Sequence, residues 1–343
     1  MPFRDGDIVI LIGAGCSVDA GLPTSAQMIE KVEGLLKNEW KNYKELYNLI
    51  KSSALYADGI RGRYDLDFDI ERLVSILGEL EKKESSILYP FIGSWKPRLL
   101  EIAGHDFEIL SKFKQEILKK LVKWVKPQSY DNAKYYENFF RLQNELDFPL
   151  RIFTLNYDLC LEKSIPEGEY LERGFDKGTH LWDWRRFERM DEDAPNIYLY
   201  KMHGSIDWER DENEGNILRE VDYDPDNPDL IFGTNYKLQY IDPYLFYAYE
   251  LRKYSLESKL IITIGYSFRD EHINGILIQA LSQEPERSIL IVSSDANSIH
   301  QKLTEEFPRI KEQLFIEESK AKDFLQNVNI LDLEEKISLQ KGG

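Results

Sequence analysis

Residues 8–25 read IVILIGAGCSVDAGLPTS, and this stretch decides the fold that the rest of the chain is expected to follow. Residues 8–12 are all apolar, which is typical of a strand buried on both faces of a parallel sheet. Glycines at 13 and 15 allow a tight turn, and the free N–H groups of a helix that starts soon afterwards favour a diphosphate. A plain strand-to-helix turn is the alternative, because the third glycine comes only at position 21.

The composition is that of a globular, strongly acidic protein. Hydrophobic residues make up 42% of the 343 positions, enough for one large domain or two modest ones. The net charge of −17 argues against a broad nucleic-acid or anionic-membrane surface. The two cysteines form no CxxC pair, so neither a zinc ribbon nor a disulfide framework is expected. The chain has no apolar signal core and no run of about 20 apolar residues, so a cytoplasmic location is expected.

Strands alternate with helices along the chain. Further strands are predicted at 150–155, 197–202, 259–264 and 288–292, and helices at 243–254, 272–281 and 297–307. This alternation predicts an α/β fold with a Rossmann-like, doubly wound parallel sheet, built from residues 1–36 and 149–310. The acidic stretch 209–229 is predicted to be a solvated loop.

A helical module is predicted over residues 37–148, between the first two strands. Its clearest helix is expected at 106–125, with others at 69–80 and 132–146, because apolar residues recur there every three or four positions. The aromatic residues of this module are interpreted as core residues and not as cofactor contacts. Residues 311–343 are predicted to form a C-terminal tail, available with the module for oligomer or partner contacts.

Polar or small residues follow every predicted strand, and parallel strands place their carboxyl ends at one edge of a sheet. A ligand site is therefore expected at that edge. The clusters are 13–17, 156–158, 203–205, 265–267 and 293–295.

Four stretches in this order resemble the sirtuin family. GAGCSVDAGLP at 13–23 is similar to the glycine-rich opening of sirtuins, and TLNYD at 154–158 is similar to their TQNID. MHGS at 202–205 holds the place of their HG, and IGYSFRDEHIN at 264–274 resembles a late motif of the prokaryotic sirtuin-like branch. The resemblance covers most of the chain but not the helical inserts or the C-terminal residues.

Two departures from the sirtuin pattern bear on the activity that the resemblance implies. Sirtuin deacylases carry four zinc-binding cysteines between these motifs, and Thr24 and Ser25 stand where their acidic and arginine residues follow AGIP. The resemblance thus implies the zinc-free prokaryotic branch, whose members often hydrolyse NAD within anti-phage defence systems. It implies no metal and no zinc module. It also implies a homo-oligomer or a partner such as a HerA/FtsK-like ATPase.

Three residues are expected to be catalytic: Asn156, His203 and Asp158. Cleavage at the nicotinamide ribose develops an oxocarbenium-like carbon and releases a neutral base, so the site needs positioning and a neutral polar group, which Asn156 provides. Histidine is the usual general base near neutral pH, so His203 is the candidate to accept a proton from a ribose hydroxyl or a water. Asp158 either orients these groups or holds the loop. The alternatives are a turn-forming asparagine and a structural histidine.

The other strand-end residues are expected to bind NAD. Ser17 and Ser267 are candidates for phosphate or ribose contacts, with turn capping as the alternative. Asp295 is a candidate for the adenine-side ribose or, equally, for a helix cap. Cys16 is expected to pack as a small apolar residue. The full set of expected NAD-binding positions is Gly13, Ala14, Gly15, Ser17, Gly21, Thr154, Gly204, Gly265, Ser267, Ser293 and Asp295. The remaining histidines, expected to be structural or exposed, are His105, His180, His272 and His300.

The sequence as a whole leads to the hypothesis of an NAD hydrolase that releases nicotinamide and ADP-ribose and acts as a regulated effector of anti-phage defence. The first alternative is a deacylase or ADP-ribosyltransferase, which sends the same intermediate to a protein acceptor. The second is a non-catalytic module that senses NAD or ADP-ribose.

Overall fold

A computed structural model describes residues 3–62, 68–81, 97–104, 107–188, 194–211, 216–232 and 241–338, with side chains described as far as residue 334. The strands are β1 (Ile8–Ile12), β2 (Leu150–Thr154), β3 (Leu171–Glu172), β4 (Ile197–Lys201), β5 (Trp208–Asp211), β6 (Ile217–Glu220), β7 (Leu260–Ile264), β8 (Ser288–Val292) and β9 (Leu314–Glu317). The α-helices are α1 (Ser25–Leu35), α2 (Lys44–Ile60), α3 (Ile70–Glu81), α4 (Pro97–Ala103), α5 (Glu108–Trp124), α6 (Asn138–Leu146), α7 (Tyr244–Glu257), α8 (Glu271–Gln283), α9 (Ala296–Glu306), α10 (Ala321–Asn327) and α11 (Ile330–Ser338).

A seven-stranded sheet of order β3-β4-β2-β1-β7-β8-β9 forms the centre of the fold, and its pairings are all parallel. Without the edge strand β3, the order is that of a dinucleotide-binding Rossmann sheet, 3-2-1-4-5-6. The chain leaves β1 towards β2 and β4, and later returns to the other side of β1 to add β7, β8 and β9. The switch point of the topology therefore lies between β1 and β7, and the predicted α/β class with a doubly wound parallel sheet is confirmed.

The central strands are buried on both faces, as their continuous apolar runs predict. No residue of β1 has more than 2% of its surface exposed, and β2, β4, β7 and β8 are buried along their whole length. The strand and helix predictions for this part of the chain are confirmed to within a few residues. The predicted loop at 209–229 is wrong in part, because Trp208–Asp211 and Ile217–Glu220 pair as an antiparallel hairpin. Buried Trp208 and Leu218 hold this hairpin despite its acidic composition.

The chain divides into two compact units. The sheet unit contains residues 1–22, 126–231 and the described part of 237–343, and the helical unit contains residues 23–125 with Phe232. These borders differ from the predicted module 37–148, because the 3-10 helix Tyr130–Glu137 and α6 bury aromatic side chains in the core of the sheet unit. They also differ from the predicted tail over 311–343, since β9 is a hydrogen-bonded edge strand of the sheet.

The helical unit has its own aromatic core. The Tyr43 and Phe113 rings stack with their centroids 4.7 Å apart, and Trp40 meets Phe113 edge-on. Its first helix, α1, begins with a capping box in which Thr24 and Gln27 satisfy each other's backbone N–H groups. Thr24 is therefore the N-cap residue of α1. The helix predicted at 106–125 corresponds to α5 (Glu108–Trp124), and residue 106 lies outside the described residues.

Among the described residues, no helix combines the length and the apolar character needed to cross a membrane.

Candidate functional site

The glycine-rich loop after β1 packs against the turn after β7, directly at the switch point. The N–H of Gly13 donates to the Ile264 carbonyl (3.0 Å), and the N–H of Gly15 donates to the Gly265 carbonyl (2.9 Å). A Cβ at Gly13 would lie 2.7 Å from the Gly265 carbonyl oxygen, and one at Gly15 would lie 2.8 Å from the Gly265 Cα. The loop after β1 and the turn after β7 approach so closely that only glycine fits at positions 13 and 15. The N–H groups of Gly13 and Gly15 therefore already have hydrogen-bond partners within the protein. Their predicted contact with a diphosphate stays a prediction.

A 3-10 helix, Ala14–Ala20, begins immediately after Gly13 and delivers Ser17 into a buried polar cluster. Ser17 Oγ donates to Asp158 Oδ2 (2.7 Å), accepts from Asn156 Nδ2 (3.1 Å), and lies 2.8 Å from the Tyr136 hydroxyl. Since Ser17 has one hydroxyl proton, which goes to the carboxylate, Tyr136 is the donor in the third bond. Ser17 is 2% exposed, and Asn156 and Asp158 are 7% exposed.

The hydrogen bonds of this cluster limit what Asn156 can offer a ligand. Its Nδ2 donates to the Gly13 carbonyl (3.0 Å) as well as to Ser17 Oγ, which uses both amide protons. The carbonyl Oδ1 is therefore the part of the side chain left for a substrate. Thr154 Oγ1 accepts from the Asn156 backbone N–H (3.0 Å) and fixes the turn at the end of β2. The structure thus brings the loop after β1 and Asn156 together, as predicted.

Asp158 is occupied on both carboxylate oxygens. Oδ2 accepts from Ser17, and Oδ1 accepts from the Cys160 backbone N–H (2.9 Å). These contacts favour the loop-holding interpretation of Asp158. Beneath it, the buried ammonium of Lys201 donates to the Asp158 carbonyl and pairs with Glu162 at 2.8 Å. This lysine charge is therefore neutralised within the protein.

The buried ion pairs continue away from Lys201. Arg173 Nη2 lies 2.8 Å from Asp207 Oδ2, and Arg173 Nη1 lies 3.2 Å from Glu220. Burial alone raises the pKa of Asp207, but the positive charges of Arg173 and Lys201 outweigh it, so the pKa is lowered. The network anchors the turns after β2 and β4 from below.

His203 lies just beyond β4 and is only 3% exposed. Its Nε2 is 3.2 Å from Asp270 Oδ2, at ion-pair distance, while neither ring nitrogen has a hydrogen-bond partner among the described residues. The Tyr157 ring lies beside the imidazole, with centroids 6.4 Å apart. A buried polar atom without a hydrogen bond lowers the stability of the fold by about 1–3 kcal/mol. Both ring nitrogens of His203 are such atoms, which indicates that the residue has a functional role and not a stabilising one.

Asp270 has a second task, as the N-cap of α8. Its Oδ1 accepts from the backbone N–H groups of His272 (3.0 Å) and Ile273 (3.3 Å), while Oδ2 faces His203. Sequence reasoning missed Asp270, although it lies inside the stretch 264–274 and directly before a predicted helix. It also missed Tyr136, for which the sequence offers no signal beyond a tyrosine pair in a helical segment.

The remaining predicted positions lie along the same edge of the sheet. Gly204 has a φ of +85°, and a Cβ there would lie 2.8 Å from the Tyr244 hydroxyl, so packing requires this glycine. Gly21, with a φ of +88°, is the C-cap of the 3-10 helix. Ser267 is exposed at the end of β7. Asp295 occupies the N-cap position of α9, as its alternative interpretation has it, but its side chain makes no capping hydrogen bond. Ser293 Oγ instead accepts from the Asp295 N–H (3.1 Å).

The cysteines are buried, which suits the expected apolar packing of Cys16. Burial raises the pKa of Cys16 to about 12, with Asp158 adding to the effect and a Tyr136 hydrogen bond opposing it. His180 is an exposed histidine with Nδ1 3.5 Å from Glu220, whereas His105 lies outside the described residues. In the part of the chain that the structure describes, no three or more His, Cys, Asp or Glu side chains are grouped to hold a metal.

Comparison with known protein families gives a partial match. The family model described as SIR2-like domain matches residues 150–318, just under half of the chain. The matched segment contains Asn156, Asp158, His203 and Asp270, but not the glycine-rich loop after β1. No curated protein sequence matches the chain.

Solved structures of Sir2 homologues resemble the chain weakly in overall shape. A mutant homologue in complex with 2′-O-acetyl ADP-ribose has a TM-score of 0.45 and 13% identity, covering 98% of this chain and 92% of that one. A homologue in complex with NAD has a TM-score of 0.43 and 13% identity, covering 98% of this chain and 89% of that one. At such scores the likeness is weak.

Proposed function

We propose, from the similarity of residues 150–318 to the SIR2-like domain, that this chain hydrolyses NAD to nicotinamide and ADP-ribose. One observation carries the proposal: an amide and a buried imidazole follow the neighbouring strands β2 and β4 of a 3-2-1-4-5-6 sheet, and the amide lies against the glycine-rich loop of β1. Open α/β sheets bind ligands at this edge, next to the switch point. The polar groups there are also those that cleavage of a glycosidic bond requires.

The proposed reaction needs little acid assistance, because the leaving nicotinamide is already a good leaving group. The bond from the ribose C1′ to the pyridinium nitrogen breaks, and its electron pair neutralises that nitrogen. Water attacks C1′, and its proton passes to His203 and then to solvent. Asn156 Oδ1 is an uncharged acceptor held rigid by two hydrogen bonds on its Nδ2, so it can position a ribose hydroxyl or the water without rearranging.

The proposed NAD-binding surface extends along the sheet edge from the loop after β1 to the ends of β7 and β8. Ser267 and Asp295 are exposed there and are proposed to contact the sugar-phosphate part of NAD. Asp158 and Ser17 are proposed to hold the site in shape from below, since their polar atoms bond to protein groups.

We further propose that the activity is regulated and belongs to anti-phage defence. A cell cannot tolerate an always active NAD hydrolase, and the site residues Asn156 and His203 are 7% and 3% exposed in the described conformation. An opening step is therefore needed before NAD reaches them, and assembly with further copies or with a HerA/FtsK-like ATPase would supply it.

The test is nicotinamide release from NAD by the purified chain, alone and with the product of its neighbouring gene. The matched variants are H203N and H180N, because His180 is an exposed histidine with a φ of +59° that asparagine tolerates. H203N and N156A should abolish release, and H180N should not. Release that depends on an acylated peptide would favour a deacylase or transferase. Tight binding without turnover in the assembled complex would favour a sensing module.

A further inference from the structure

We infer that Asp270 is the positioning residue for His203, and that it keeps the imidazole proton on Nε2 so that Nδ1 is the proton acceptor. The predicted effect on kcat rests on the proposed NAD cleavage. The predicted tautomer of His203 does not, because it depends only on the pairing of His203 with Asp270 within the sheet unit. Both members are buried, with 3% of His203 and 4% of Asp270 exposed.

The pair is formed across the sheet edge and not between adjacent loops. His203 follows β4 and Asp270 follows β7, and the two strands are separated in the sheet by β2 and β1. Neighbouring strands lie about 4.8 Å apart, so the loops after β4 and β7 start about 14 Å from each other. The side chains nevertheless approach to 3.2 Å. The two loops therefore converge over the ends of β1 and β2, where Asn156 and the glycine-rich loop lie.

The carboxylate of Asp270 is held rigidly. Its Oδ1 accepts from two backbone N–H groups at the start of α8. The turn that precedes it is braced by Tyr266, whose hydroxyl donates to Asn274 Oδ1 (2.7 Å) and lies 3.3 Å from the Asp270 carbonyl oxygen. Such bracing leaves Oδ2 with a fixed direction, which is what an orienting group requires.

An ionised carboxylate can only accept, so the imidazole nitrogen that faces it is the one that carries hydrogen. That places the proton on Nε2 and the lone pair on Nδ1. Nδ1 has no hydrogen-bond partner among the described residues, although it is buried. When Nδ1 takes the proton of the attacking water, the new positive charge on the ring lies beside the Asp270 carboxylate, which stabilises it.

The variant D270N separates the two tasks of this residue. Asparagine caps helices as well as aspartate does, so α8 keeps its start, whereas the charge beside His203 is lost. D270A removes both the cap and the charge. D69N is the matched control, because Asp69 caps α3 by accepting from the Arg72 N–H (2.9 Å) in the helical unit.

The kinetic experiment uses the full chain in its active form. D270N should lower kcat about ten- to hundredfold and leave KM near its wild-type value, because Asp270 acts through His203 and not on the substrate. D69N should leave both kcat and KM unchanged, because its cap lies in the helical unit. A wild-type kcat in D270N, or a rise in KM as large as the fall in kcat, would overturn the inference while leaving the proposed function standing.

A second measurement does not depend on NAD cleavage. In the full chain labelled with 15N-histidine, the His203 resonances are identified by their loss in H203N, and long-range proton–nitrogen correlations then report its tautomer. The wild type should show the Nε2–H form, and D270N should lose this preference. An Nδ1–H form in the wild type, or an unchanged tautomer in D270N, would overturn the inference. If the wild type cleaves no NAD, the proposed function fails. The tautomer of His203 in the wild type and in D270N then remains the test of whether Asp270 positions the imidazole.

Discussion

Replacing Gly265 by alanine should destabilise the sheet unit far more than an ordinary glycine replacement does. The residue has a φ of +63°, and its Cβ would lie 2.7 Å from the Gly15 Cα and still closer to the Cys16 amide nitrogen. The left-handed conformation costs alanine about 1–2 kcal/mol. Overpacking adds about 1–3 kcal/mol, and the weakened bond from Gly15 to Gly265 adds about 0.5–1.5 kcal/mol. We therefore expect a loss of about 3–6 kcal/mol.

Gly6→Ala is the control for this prediction. Gly6 has a φ of +85° in the turn before β1, but nothing lies within 4 Å of its would-be Cβ, so only the conformational cost applies. Hydrogen exchange in urea, read by mass spectrometry on peptides over β1 and β7, reports the sheet unit separately from the helical unit. If G265A and G6A reduce the free energy of unfolding equally, the close approach of the two loops is not what requires glycine at 265.

The remaining predictions concern the buried cluster and the thiols. Tyr136→Phe removes one of three hydrogen bonds to Ser17 and should cost about 1 kcal/mol in urea unfolding, and a loss above about 3 kcal/mol would contradict the cluster as described. D158N replaces the acceptor of the Ser17 hydroxyl by an amide and should cost about 1–3 kcal/mol; no loss would show that the carboxylate is not needed there. Burial raises the pKa of Cys16 from 9.0 to about 12. The resulting stabilisation is complete below pH 9 and is lost as the pH rises towards 12, because only the unfolded chain then releases the proton. At pH 10 the loss for Cys16 is on the order of 1 kcal/mol, and C16A should reduce the fall in urea midpoint between pH 8 and pH 10. Cys160 is also buried, so neither thiol should react with iodoacetamide until the chain is unfolded.

The sequence was sufficient for those features that depend on local pattern. The apolar runs of β1, β2, β4, β7 and β8 predict buried parallel strands, and the polar residues after them predict the edge at which the candidate site lies. Asn156 and His203 could be singled out because each follows such a strand.

Features that depend on distant contacts could not be predicted. Tyr136 meets Ser17 across 119 positions of sequence, and no periodicity encodes that encounter. Asp270 was visible as a residue before a helix, but its approach to His203 depends on two loops that converge from strands that are not neighbours. The borders of the two compact units differ from the predicted ones for the same reason, because the helical pattern of residues 130–146 does not reveal which core these helices join.

Asn156 and His203 are proposed to act in a single site at the edge of the sheet, next to the switch point. Nicotinamide release from NAD by the wild-type chain, H203N and H180N, measured side by side with the neighbouring gene product present, tests it most directly. We expect release by the wild type and by H180N, and none by H203N. Equal release by H203N and the wild type, or no release by any of the three, would contradict it.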